Sequence, residues 1–282
     1  MNHRRQENTL HSYAALLSGL NKANPNHDVV LSLCEWGKTQ PQNWGYKVAD
    51  SWRILNDITF CVGADGNPGR GTWFDMGTAS VTSQYDKAVV MDEFAGLDKG
   101  WNDPDMLMIG MDGLNDTMCR THMTMWCMMN SPLMLGLDLR RVELGNWLYN
   151  IIANKELIAL NQDALGIQAK RVFTTIETDA PDTDYITNHN RCDILAKPLE
   201  NGDIALCFIN VNDQPWEQEL SVSAEQIVKL LGHKMVNAEQ FAKAAAYEVT
   251  DLWTGEKTIA SSNFKVARMD ACDSVTVRVT VK

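Results

Sequence analysis

Up to about residue 165 the chain alternates short, largely apolar runs with longer stretches of helical periodicity, and this alternation restricts the fold more than any other feature. The runs are VVLSLCEW (Val29–Trp36), ADSWRILNDITF (Ala49–Phe60), GWNDPDMLMIG (Gly100–Gly110) and LMLGL (Leu133–Leu137). Strands apolar on both faces belong in a parallel sheet covered by helices. The helical stretches are residues 6–22, with Leu10, Tyr13, Ala14, Leu17 and Leu20 at three- and four-residue spacing, then about 75–94, Thr117–Met129 and Leu148–Leu160. In the third, Cys119, Met123, Trp126 and Cys127 share a face, and Asn115 or Asp116 supplies the cap. Strand followed by helix, repeated about four times, is the pattern of an α/β fold. Polar residues stand just beyond each apolar run: Glu35, Asp57, Asp103, Asp105 and Asp138. A (β/α)-barrel keeps its active site at the C-terminal ends of its strands, so the coincidence favours a barrel over an open sheet.

The Gly100–Gly110 stretch carries the most chemistry. Asp103 and Asp105 flank Pro104, whose ring fixes its own φ and pushes the preceding residue toward an extended conformation. A stiff segment bearing acids suits a polyhydroxylated ligand. It equally suits an Asx-rich turn between packed elements.

After Val172 the pattern changes. DILAKPLENGDIALCFINV sets an Asn201-Gly202 pair between alternating apolar runs, which predicts a hairpin with a two-residue turn. Glu219–Val222, Tyr247–Trp253 and Ser274–Val281 read as further strands, and Ala224–Leu231 as a helix capped by Ser223. The division expected is therefore 1–170 for a barrel-type unit and 171–282 for an antiparallel β domain.

Composition narrows the partners. The 282 residues carry a net charge of −11, which argues against nucleic acid or an anionic membrane as partner. No run reaches the length of a transmembrane helix. The start, MNHRRQENTLHS, lacks the apolar core of a signal peptide, and the compartment stays open. Seven scattered cysteines suit free buried thiols better than a disulfide framework. The six histidines are dispersed, and Gly63–Gly71 lacks the lysine of a phosphate loop, so neither metal nor nucleotide cofactor is expected.

SLCEWG (Ser32–Gly37), SWR (Ser51–Arg53) with Asp57 four residues on, GWNDPDML (Gly100–Leu107), PLMLGLDL (Pro132–Leu139) and NQDALG (Asn161–Gly166) together resemble glycoside hydrolase family 27, the α-galactosidases and α-N-acetylgalactosaminidases. The likeness is close over about 28–172 and looser beyond, where GDIALCFIN and DLWTG are similar to the family's C-terminal sandwich. It implies a (β/α)8 TIM barrel followed by an antiparallel β domain, and hydrolysis of terminal α-galactosides with retention. It implies Asp57 as acid/base and Arg53 as a contact to sugar and nucleophile. Cys34, Glu35 and Trp36 would shape the pocket around the sugar's 2-position, and Asp105 and Met106 would lie near the saccharide. An acid/base must hold a proton at rest, so burial or neighbouring carboxylates such as Asp103 or Asp105 are expected around Asp57. Glu35 favours a plain 2-hydroxyl over an N-acetyl group. Taken alone, Trp52 and Trp101 read as core residues.

The family's nucleophile stands in a lysine-hydrophobe-aspartate motif about thirty residues before the position matched by Ser32, and no such motif occurs here. The resemblance thus covers strands five to eight of the barrel. The expectation is a chain unable to complete double displacement alone, with two strand edges that invite a second copy or a missing N-terminal half.

Overall fold

The computed structural model describes residues 6–26, 28–58, 60–61, 70–74, 79–176 and 191–282. Most of the glycine-rich stretch and the start of the helix expected at 75–94 lie outside the described residues.

Helix α1 (Gln6–Ala23) presents Tyr13 to the core, against Trp44. Strand β1 (Ser32–Leu33) pairs in parallel with β2 (Ser51–Arg53), with Leu33 opposite Trp52. A short antiparallel pair, β3 (Phe60–Cys61) and β4 (Arg70–Gly71), and helix α2 (Val81–Val89) come next. Ser80 caps α2 in a reciprocal box with Ser83, which removes two orphan donors of the first turn. Strand β5 (Trp101–Asp103) then pairs in parallel with β2, setting Trp52 opposite Asn102 and Arg53 opposite Asp103. A parallel bridge between Leu107 and Leu135 continues the arrangement.

Period-two alternation sorts this sheet into two faces. Leu33, Trp52 and Asn102 are buried. The Trp52 indole donates to Asn102 Oδ1 at 2.9 Å, and the Asn102 amide donates to the Met91 carbonyl and to Gln168. Trp52 is therefore core, and Asn102 is a buried polar group with its bonds made. On the opposite face Ser32, Ser51, Trp101 and Asp103 line a cavity of about 810 Å³, shared with Asn130–Met134 and Asn161–Ala164.

Helix α3 (Asp116–Met128) is capped by Asn115, whose Oδ1 accepts from the Met118 N–H. It is buried on nearly every side from Thr121 to Met128, as a helix held between two layers must be. Cys119, Met123, Trp126 and Cys127 are all core.

Three expectations need correction. Only Ser32–Leu33 of Val29–Trp36 is strand, because β1 pairs on one side alone among the described residues, and Val30 is 76% exposed. Leu133–Leu137 is no buried strand: it makes the one bridge to Leu107, and Met134 stands 67% exposed. Leu148–Leu160 is two helices, α4 (Trp147–Ile152) and α5 (Lys155–Asn161). The break falls at Asn154, whose side chain accepts from the Glu156 and Leu157 N–H groups and starts a new helix instead of continuing the old one.

From Lys170 the chain builds an antiparallel sheet. Its strands are β6 (Lys170–Thr174), β7 (Cys192–Pro198), β8 (Ile204–Asn210), β10 (Tyr247–Asp251), β11 (Lys257–Ala260) and β13 (Ser274–Val281), in the order β11-β10-β13-β8-β7-β6. A second pair, β9 (Leu220–Ser223) with β12 (Asn263–Val266), and helices α6 (Ala224–Leu231) and α7 (Ala238–Lys243) pack on it. Ser223 and Gln226 form the capping box of α6. The turn at Asn201-Gly202 is longer than expected: Leu199 N–H donates to Asp203 O across Glu200–Gly202, with Gly202 at φ +88°. Both faces of the sheet are covered. Ile204, Leu206 and Phe208 meet β9, β12, α6 and α7, while Ala205, Cys207 and Ile209 join the core around α3.

Buried polar links join the two sheets' surroundings. The Tyr85 hydroxyl of α2 and the Arg191 guanidinium both donate to Asp193 Oδ2, and Arg191 also pairs with Asp86. Lys197 Nζ donates to Asn130 Oδ1 and to the Ile167 carbonyl.

Candidate active site

Because β1, β2 and β5 run parallel and in register, residues 34–36, 53–58 and 103–106 leave the sheet at the same, C-terminal, end. Arg53 is the centre of what gathers there. Its side chain is buried, and Nη2 donates to the Leu55 and Asn56 carbonyls, to Asp57 Oδ1 at 3.3 Å and to Asp105 Oδ2 at 2.5 Å. One guanidinium nitrogen thus spans two carboxylates from two strand ends. The Gln84 amide of α2 supports the loop from behind by donating to the Asn56 carbonyl at 2.6 Å.

Asp105 sits at φ +77°, a left-handed conformation that costs a non-glycine residue about 1–2 kcal/mol. Its surroundings hold it there. Its N–H donates to Asp103 Oδ1, its carbonyl accepts from the Trp126 indole, and its carboxylate accepts from the N–H groups of Ile58 and Met106. Such outliers collect at functional sites. Burial raises the pKa of Asp103 above the usual carboxylate range, against the opposing Asp105 N–H bond and the Arg53 charge.

The turn after β1 brings Trp36 and Glu35 to the same end. Trp36 is left-handed, at φ +60°, and 44% exposed. Gly37 follows at φ +71°, and a Cβ there would stand 2.1 Å from the Ile54 carbonyl oxygen. Only glycine lets this turn press against the end of β2, which carries Arg53. Cys34 is exposed. Glu35 is buried, and its Oε2 accepts from the Thr39 N–H and hydroxyl at 2.8 and 2.7 Å. Oε1 is buried without a hydrogen-bond partner among the described residues. Burial raises the Glu35 pKa, and the Thr39 bonds oppose that rise.

Of the residues chosen from sequence, Arg53, Asp57 and Asp105 are directly bonded and Met106 adjoins them, its sulfur packed toward Gly136. Cys34, Glu35 and Trp36 occupy the neighbouring strand end. The setting of Asp57 differs from the one expected. Its side chain is 66% exposed and its ionic partner is the Arg53 cation, not a neighbouring carboxylate. The reason is that Arg53 lies between the two acids. Sequence reasoning passed over Thr39, Gln84 and Trp126. The i,i+4 spacing of Glu35 and Thr39 was a signal for the first; the other two act across distances no local pattern encodes.

A family model described as alpha galactosidase A matches residues 4–163, and one described as the alpha galactosidase C-terminal beta sandwich domain matches 189–279. The chain belongs to the α-galactosidase family. Alpha-galactosidase A of Cellvibrio japonicus is 31% identical over 245 residues, covering 87% of this chain and 54% of its own. The alpha-galactosidase of Saccharomyces pastorianus is 30% identical over 264 residues, covering 91% and 52%. Among solved structures, alpha-galactosidase I of Mortierella vinacea superposes with a TM-score of 0.74 at 25% identity, over 97% of this chain and 64% of that one. The chain therefore spans about half the length of the curated α-galactosidases it matches. The family assignment makes this chain glycosidase-like, and its two matched segments fall on the parallel and antiparallel sheets respectively.

Proposed function

We propose that this chain carries the acid/base side of a retaining α-galactosidase site, on the C-terminal half (strands five to eight) of a (β/α)8 barrel over residues 1–170, followed by an antiparallel β domain over 171–282. The observation that carries the reading is the Arg53 bridge between Asp57 and Asp105 at the C-terminal ends of adjacent parallel strands. Asp57, exposed beyond the end of β2, would give its proton to the leaving oxygen. Arg53 contacts the sugar and orients the acids. Cys34, Glu35 and Trp36 border the 2-position, and Asp105 and Met106 flank the saccharide.

Retention requires a second carboxyl about 5–5.5 Å from the first, acting as nucleophile. In this reading that group comes from polypeptide outside these 282 residues, and the chain alone does not turn over. The experiment is hydrolysis of a chromogenic α-galactoside by the purified chain, with and without a polypeptide supplying the barrel's other half. Turnover only with the supplement supports the proposal. Turnover by the chain alone overturns the insufficiency. Sugar binding with no turnover in either case favours the second reading, a non-catalytic sugar-binding or complementing subunit, which the exposure of Asp57 also suits. Within the enzymes, a chain that prefers α-N-acetylgalactosaminides or β-L-arabinopyranosides would replace the substrate and keep the site.

A further inference from the structure

Asp105 holds an unfavourable backbone conformation and yet makes four ordered contacts through its side chain and backbone N–H. Three of them run through the carboxylate: to Arg53 and Ile58 on the neighbouring strand end, and to the Met106 N–H. All depend on where the peptide backbone at 105 points, since a carboxylate a single methylene from Cα has little reach of its own. What fixes that backbone from outside the loop is α3. The Trp126 indole N–H donates to the Asp105 carbonyl at 2.8 Å. One turn earlier on the same helix face, His122 Nε2 accepts from the Met108 N–H at 3.3 Å. The two rings pack against each other with centroids 4.1 Å apart, and both are fully buried.

The segment 105–108 is therefore pinned at its two ends by one pair of stacked rings. Trp126 takes a carbonyl and His122 supplies an acceptor to an N–H, so the two contacts are chemically complementary and fix the segment's direction as well as its position. An indole has only a donor, and here it is given to the Asp105 carbonyl. His122 is held neutral by burial, its pKa lowered to about 3, so its free ring nitrogen remains an acceptor at ordinary pH. Met106, between the two pins, is carried with them.

We propose that Trp126 is a positioning residue for Asp105: its indole N–H, braced by His122, holds the left-handed turn that aims the Asp105 carboxylate at Arg53 and Ile58. The role matters for the sugar site only if the reading above is right, but the positioning itself is tested without it. Trp126→Phe keeps an aromatic ring against His122 and removes the N–H. Backbone amide hydrogen exchange is then followed at Ile58 and Met106, the two N–H groups that donate into the Asp105 carboxylate, with the α3-terminal amide of Met129 as the internal reference. Exchange at Ile58 and Met106 rises about tenfold, the size expected for one lost hydrogen bond to an anchored group, while Met129 is unchanged. Unchanged exchange at Ile58 and Met106 overturns the proposal, and so does an equal rise at all three, which would mean that the helix itself had loosened. A second measurement needs no variant. In the unmodified chain the Trp126 indole proton, Ile58 and Met106 are released by the same opening and share one protection factor; an indole proton that exchanges independently overturns the proposal. Galactose titration followed by the same spectra is scored separately. With the polypeptide that supplies the barrel's other half present, its failure removes the sugar-site reading and leaves the exchange results to decide the positioning.

Discussion

Lys197 is fully buried on β7 and reaches the turn after α3, where its ammonium donates to Asn130 Oδ1 and the Ile167 carbonyl. Burial lowers its pKa from 10.5 to about 7, against the weaker pull of Asp163 and Cys127 toward the charged form. The folded state therefore releases a proton near pH 7 that the unfolded chain keeps until about 10.5. Between those values the unfolded state binds more protons, and stability rises with pH by up to about 1.4 kcal/mol per unit; below pH 7 the cost of burying the ammonium is present in full. Integrated from pH 6.5 to 8.5, with a folded pKa near 7, the gain is about 2 kcal/mol. The perturbation is Lys197→Met, which keeps an unbranched apolar stem and removes the titration. Urea unfolding of both proteins at four values across that range gives the difference directly, since other groups cancel between them. The wild-type stability should climb relative to the variant by about 2 kcal/mol, with most of the climb above pH 7. Parallel curves would refute the reasoning, because they would mean that Lys197 titrates alike in both states.

Three other substitutions test the frame around the site. Arg191→Met takes the cation from buried Asp86 and leaves Asp193 with the Arg171 guanidinium at 3.8 Å, and should cost about 3–5 kcal/mol in denaturant unfolding; a loss under 1 kcal/mol would place Asp86 in contact with water. Gly37→Ala drives a methyl onto the Ile54 carbonyl at a left-handed position, and should lower thermal stability by several degrees, about 2 kcal/mol or more; an unchanged melting temperature would show that the turn does not press on β2. Thr39→Val removes one of the two bonds to Glu35 Oε2, worth about 1.5–3 kcal/mol to a carboxylate. Burial already raises the Glu35 pKa above the ordinary value, so the loss is felt where Glu35 is ionised and fades as pH falls through that raised pKa; a penalty equally large in acid would assign Thr39 a packing role instead.

The parts of this protein legible in its sequence are those set by short-range chemistry. Ser223 with Gln226 announces the start of α6, and Asn115 the start of α3, because a cap acts over three residues. The alternation in Ser274–Val281 marks β13 because side chains of a strand repeat every two positions. The candidate site was visible as acids placed just beyond apolar runs and through its resemblance to the α-galactosidases. What escaped depends on partners distant in the chain. LMLGL has the composition of a buried strand, yet Met134 and Leu135 are exposed, with a bridge to Leu107 as their strand contact among the described residues. Asn154 breaks an otherwise continuous apolar pattern through a single side-chain cap. Arg53 is picked out by the family resemblance, but its ion pair with Asp105, 52 positions away, is set by the fold and by no local pattern.

Helix α3 explains why the antiparallel sheet bears on the site at all. Its two buried sides serve different neighbours. On one, Trp126 and His122 hold the Asp105–Met108 segment. On the other, Thr121 exchanges a hydrogen bond with Ser274 of β13, and the turn that closes the helix, at Asn130, is held by Lys197 of β7. From Thr121 to Met128 the helix is buried all round, and close-packed interiors pass displacement on instead of absorbing it. Any shift of β7 or β13 therefore moves the same rigid element that carries the Trp126 indole. The antiparallel sheet acts as the backing of α3, and through α3 it fixes the direction of the Asp105 carboxylate at the far end of the parallel strands.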